Sequence, residues 1–136
     1  MNFKIISFIS LISNVAIANQ CPNLSGNFTC IYADQSIYRL NISQSNTPND
    51  ETIYKFLYPE ISNTAEPIYA SDSGVPDGRG WVVYCRQNKM IAITMNGSKK
   101  QEYYIDAKGN YVSHAYGSQP PHCYPSNEVQ LNLWSE

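Results

Sequence analysis

Four cysteines and two histidines carry the most reactive side chains of this 136-residue chain. Cys21, Cys30, Cys85 and Cys123 form no C-x-x-C pair, and the adjacent His122-Cys123 is a poor chelate spacing for a metal ion. An even number of cysteines in a small exported domain points instead to two disulfides, and no metal or cofactor is expected. Cys30 falls on the apolar face of one predicted strand, and Cys85 shares a face with Trp81 and Val83 in another. Cys21 and Cys123 fall in predicted loops beside prolines. The expected pairing is Cys30 with Cys85 inside the domain and Cys21 with Cys123 across its ends. Joining Cys21 to Cys30 would need a tight reversal at Pro22-Asn23. The stretch from Ser25 to Cys30 spans roughly 16 Å when extended, against roughly 5.5 Å between bridged Cα atoms.

His114 lies in a predicted strand over 112–116, and His122 lies in the loop Gln119-Pro120-Pro121-His122-Cys123. Two imidazoles could act as an acid/base pair. No carboxylate or further ligand stands at a telling spacing, and the chain has no G-x-S-x-G nucleophile motif. We read both as surface imidazoles and expect no enzyme, with a hydrolase using His114 or His122 as the alternative. Asp72 and Asp77 sit in the polar stretch 71–80 and could offer oxygens to calcium, but the ligand spacing of a calcium loop is missing. That stretch reads as a glycine-rich connection leading into Trp81.

Tyrosine is the compositional oddity, at 11 residues. Tyr38, Tyr54 and Tyr58 fall with the apolar residues of their predicted strands. Together with Trp81 they are the candidate binding residues, because an aromatic ring offers a large apolar body and a polar handle. The competing explanation is that aromatic residues simply favour strands and cross-strand pairs.

Apolar and polar residues alternate at the two-residue period of half-buried strands. The pattern runs through Leu24–Tyr32, Tyr38–Ile42, Tyr54–Tyr58, Tyr103–Ile105 and Val129–Leu133. Ile91, Ile93 and Met95 form a further expected inward face, and Trp81-Val82-Val83-Tyr84 is apolar on both sides. Turn residues such as Pro76-Asp77-Gly78, Asn88-Lys89, Asn96-Gly97 and Lys108-Gly109-Asn110 separate the runs. Successive hairpins are expected for 81–87 with 90–95, 90–95 with 101–106, and 101–106 with 111–116. Residues 44–52, 59–80 and 117–127 read as loops. The expected fold is all-β: a small disulfide-bonded antiparallel meander of about eight strands closing into a barrel or sandwich.

The segment Cys21-Pro-Asn-Leu24-Ser-Gly26-Asn-Phe28 resembles the first strand of calycin-type barrels, the lipocalins and avidins. Gly26-x-Phe28 fills the places of their glycine and large aromatic residue, with phenylalanine where tryptophan is usual. Phe28-Thr29-Cys30 is similar to the start of periplasmic lysozyme-inhibitor barrels. Both resemblances imply a small exported β barrel, and neither carries over a binding residue.

Residues 1–18 have the pattern of a secretory signal. Lys4 precedes an apolar run, and the run ends in Ala16-Ile17-Ala18. The run is shorter than the roughly 20 apolar residues of a spanning helix. Asn19-Gln20 before Cys21 argues against a lipid anchor. The expected product is a single domain over 19–136, secreted or periplasmic, monomeric and without a membrane anchor. A formal charge of −2 gives no reason to expect nucleic acid as a partner. The best reading is a non-enzymatic binding domain for a small apolar or aromatic ligand or for a protein. An inhibitor of a secreted hydrolase, acting through loops 71–80 or 117–124, is the second reading. Asn23, Asn27, Asn41 and Asn96 match the N-glycosylation acceptor pattern.

Overall fold

In a computed structural model, residues 21–115 and 117–126 are described. The expected leader 1–18 and the expected strand at 129–133 lie outside them, as does Tyr116.

The alternating segments form the strands that their period implies. β1 (Gly26–Ile31) and β2 (Ile37–Asn46) are followed by β3 (Thr52–Leu57) and β4 (Glu66–Ala70). A two-residue strand, β5 (Val75–Pro76), precedes β6 (Trp81–Arg86) and β7 (Lys89–Thr94). β8 (Lys100–Ile105), β9 (Tyr111–Ala115) and β10 (His122–Pro125) complete the series. All ten belong to one antiparallel sheet, in the order β4-β3-β2-β1-β10-β9-β8-β7-β6-β5. Of the two expected architectures the barrel is present, nearly closed, with ten strands instead of about eight. Two of the additional strands fall in 59–80, which was expected to be a loop. Pro67 obscures β4, and proline is tolerated there because β4 pairs along its length with β3 alone. β10 falls in the expected loop 117–127, between Pro121 and Pro125, and is held by its pairing with β1.

All three expected hairpins form. The β6–β7 turn places Gln87 and Asn88 at φ 54° and 63°, the left-handed pair of a two-residue reversal whose twist suits the flanking strands. The β8–β9 turn is held by Asp106, whose Oδ1 accepts from the backbone N–H of Lys108 at 2.9 Å and of Asn110 at 3.0 Å.

The barrel closes at one end only. Beyond β4, Ser71 bridges in parallel to Tyr84 of β6, and its carbonyl accepts from the Cys85 N–H at 3.1 Å. From there β4 and β6 continue to the other end without pairing. At the closed end the interior is full. Leu24, Ile42, Tyr54 and Met90 are among its buried residues. Phe56 stands in the middle, its ring 6.5 Å from Tyr54 and 6.2 Å from both Tyr103 and Tyr111, and Phe28 meets Tyr111 at 5.6 Å.

One face assignment is reversed. Met90 and Ala92 point inward, opposite Tyr103 and Gln101, whereas Ile91 and Ile93 face outward and Met95 is exposed in the following turn. The run Met90-Ile91-Ala92-Ile93 is apolar at every position, so its period gives no direction. The register with β6 and β8 sets it.

The disulfides differ from the expected pairing. Cys30 bonds to Cys123, and Cys21 bonds to Cys85. Cys123 lies in β10 directly opposite Cys30 on β1, so strand pairing brings the two together. Cys85 is then left for Cys21, whose segment crosses the closed end of the barrel. There the Tyr54 hydroxyl donates to the Pro22 carbonyl at 2.6 Å, and the Leu24 N–H donates to Gln44 Oε1 at 2.7 Å. Two disulfides fit an oxidising extracellular or periplasmic setting.

Candidate functional site

At the open end the inward residues of β6, β7 and β8 no longer meet packed partners across the barrel. Trp81 and Val83 of β6, Ala92 of β7, and Gln101 and Tyr103 of β8 face Ile68 of β4 across a cavity of about 260 Å³. Register explains the convergence. Val83 pairs with Ala92, Ala92 with Gln101 and Met90 with Tyr103, so these side chains share one face of three neighbouring strands. Alanine at 92 leaves room in the middle of that wall. The aromatic group around Phe56 reaches Tyr103 at the inner end.

The turn between β5 and β6 forms the lip. Asp77 Oδ1 accepts from the backbone N–H of Arg79 at 2.8 Å and of Trp81 at 3.1 Å, which fixes the turn. Its Oδ2 lies 3.4 Å from Arg79 Nε, so the guanidinium is held beside the cavity with 66% of its side chain exposed. Burial alone would raise the Asp77 carboxyl. The two backbone donors and the Arg79 charge outweigh it and hold the group below its ordinary value. The Asp77 carboxylate is thus engaged by the turn, in keeping with the reading of 71–80 as a connection into Trp81, and Asp72 is not among the residues lining the cavity. Among the described residues no cluster of three His, Cys, Asp or Glu could hold a metal.

Tyr103 donates its hydroxyl proton to Gln101 Oε1. Burial pushes the Tyr103 phenol upward, against the lowering influence of Arg79. The phenol therefore stays neutral and keeps its donor. Tyr58 and Tyr111 are raised as well, chiefly by burial, with Tyr32 and Tyr103 adding to the shift of each.

Of the four candidate binding residues, Trp81 alone lines the cavity. Tyr54 is fully buried at the closed end and bonds to Pro22. Tyr58 packs against the core and shares a hydrogen bond with Tyr32. Tyr38 meets Tyr32 edge-to-face at 5.6 Å. Arg79, Gln101 and Tyr103 were not singled out as binding residues by sequence. The alternation of Gln101 with Tyr103 assigns them one face, but only register places them opposite β4.

His114 is exposed on the outer face of β9, opposite Glu102, and His122 is exposed on β10, stacked on Tyr124 at 6.5 Å. Neither lines the cavity. The Glu102 carboxylate bonds to Lys89 and Lys100, each at 3.3 Å. The stretch 71–80 is divided by β5, so its first turn lies at the closed end and its second at the open end. Asn27 and Asn41 stand side by side on adjacent strands, Asn41 Nδ2 donating to Asn27 Oδ1 at 2.6 Å. Trp81 also borders a wider surface depression of about 440 Å³ along Thr94–Lys99. That depression is bordered by Met95 and Lys99 on the β7–β8 turn, whereas the interior cavity gathers the inward faces of three neighbouring strands, so the interior cavity is the candidate site. No family model, no curated protein and no solved structure matches the chain.

Proposed function

We propose that this protein is an exported, non-enzymatic binding domain that holds one small ligand with an aromatic or apolar body in the open end of its barrel. The observation that carries this reading is the 260 Å³ cavity whose wall is apolar and whose lip and inner end are polar. Trp81, Val83, Ala92 and Ile68 would cover the ligand's body. Arg79, Gln101 and Tyr103 would fix its orientation. A few placed polar groups in an apolar hollow are the usual make-up of a small-molecule site. The volume is just below the roughly 300–1,000 Å³ of drug-sized pockets, which suits a ligand of one or two rings. The basic start and apolar run of residues 1–18, together with two disulfides, support export.

Saturation-transfer NMR with a library of single-ring and two-ring fragments tests this directly. Ala92→Leu adds bulk at the centre of the wall and should remove the signals of bound fragments while leaving the fold intact. A screen without binders, or binders unaffected by Ala92→Leu in a folded protein, would overturn the reading.

A further inference from the structure

The hydrogen-bonding groups around the cavity are unbalanced, and the imbalance identifies a ligand class. The Asp77 carboxylate accepts two backbone N–H groups and faces Arg79 Nε. Apart from that Asp77 contact, the Arg79 guanidinium has no hydrogen-bond partner among the described residues. Gln101 accepts the Tyr103 proton on Oε1, which leaves both hydrogens of its Nε2 without a partner among the described residues. The donors still open are thus the terminal amino groups of Arg79 and the amide nitrogen of Gln101, and they outnumber the remaining acceptor positions on Tyr103, Gln101 and Asp77. Arg79 is the single cation lining the cavity.

From this we infer that the cavity takes a small aromatic carboxylate. Its ring lies against Trp81 and Ala92, and its carboxylate faces Arg79 and the Gln101 amide. The planar guanidinium offers two parallel N–H groups that match a carboxylate's two oxygens. Trp81 pairs with Thr94 and Ala92 with Val83, so Trp81 and Ala92 are diagonal neighbours on one face of β6 and β7, and both line the cavity. A neutral ligand of the same shape would gain the wall but leave the Arg79 donors unmatched. A cationic one would meet Arg79 as a like charge, and the one carboxylate of the lining, Asp77, is already engaged by two backbone N–H groups and by Arg79. The inference rests on the reading of the cavity as a ligand site, and its test separates the two.

Phenylacetate and phenylacetamide have nearly the same shape and differ in charge. Each is titrated into the folded protein while the Trp81 indole and Gln101 amide signals are followed by ¹H–¹⁵N NMR. Phenylacetate should bind about tenfold tighter or more, the difference expected of a charge-assisted pair. Arg79→Gln should bring the two affinities together, and Arg79→Lys should restore part of the preference. Arg79 is largely exposed, so these variants should fold. Equal binding of both probes by the unaltered protein would overturn the carboxylate assignment and leave the ligand site standing. A preference that survives Arg79→Gln would also overturn it. Binding of neither probe would overturn the carboxylate assignment, and the ligand site would fall with it only if the fragment library also gave no binder.

Discussion

Tyr54 and Tyr103 are both phenols on inward faces, yet only Tyr103 meets open space. The difference is what each ring meets across the barrel. Tyr54 sits at the closed end, where its hydroxyl reaches the Pro22 carbonyl at 2.6 Å. Gln44 Nε2 approaches the same carbonyl at only 3.4 Å. Tyr54→Phe should therefore leave a buried carbonyl poorly satisfied and cost about 1–2 kcal/mol. Urea titration should show the midpoint fall with its slope unchanged, since the surface exposed on unfolding stays the same. Alternation in the sequence tells which side of a strand a residue takes, and it did so for Tyr38 and Tyr54. It does not tell what that residue meets across the barrel. This is why aromatic residues of equal promise divide into core members and one cavity wall.

At the scale of elements, the two disulfides act on different parts. Cys30–Cys123 joins strands that already pair. Cys21–Cys85 fastens a segment without strand structure across the closed end. In the chain-entropy account, loops of this length make each bridge worth about 4 kcal/mol. The local consequences differ. With Cys21 and Cys85 both changed to Ala, hydrogen exchange should accelerate first at the Leu24 and Cys85 amides, while β1 and β2 remain protected. With Cys30 and Cys123 both changed, protection should fall along β1 and β10. Equal loss at all sites in both variants would contradict this division. The sequence supplied the inward placing of Cys30 and Cys85, and two inward cysteines looked like partners. What decided otherwise was β10, a four-residue strand bounded by prolines that carries almost no local signal. The Met90–Ile93 run failed for a related reason, since with apolar residues on both faces only its neighbours set its direction.

At the scale of the whole molecule, four carboxylates among the described residues are held below their ordinary values and link the charge state to the fold: Asp34, hydrogen-bonded by Ser36, and Glu60, Asp77 and Glu102. Burial tends to raise Glu60 and Glu102, but Arg39 in the first case and Lys100 with Lys89 in the second outweigh it and hold both below the ordinary value of 4.5. Asp77 is likewise held below its ordinary 3.8. A group whose folded value is depressed adds stability above its unfolded value and loses it as pH falls through the folded one. The denaturation midpoint should therefore begin to fall near pH 4.5 and keep falling below 3.8. Glu60→Gln with Glu102→Gln should flatten the upper part of that decline. Midpoints measured from pH 7 to pH 3 check both statements. The all-β class, the later hairpins and a closing meander were legible in local pattern. The choice of barrel over sandwich was not, because it depends on one parallel bridge at Ser71 and on the pairing of β1 with β10. Those contacts join residues far apart in sequence, and the cavity exists only where that closure stops.

The same closure has a consequence for chain connectivity. β1 pairs with β10, and the Ser126 N–H donates to the Asn27 carbonyl at 2.8 Å, so the two ends of the described domain lie together. β4 and β5, consecutive in the chain, do not pair with one another. The sheet is therefore a ring whose break lies in the middle of the chain. Fusing the ends and reopening the polypeptide between Asp72 and Ser73 would sever no strand pairing. The molecule thus has a second natural place to begin, and a permuted chain starting there would build β5 to β10 first and return through β1 to β4.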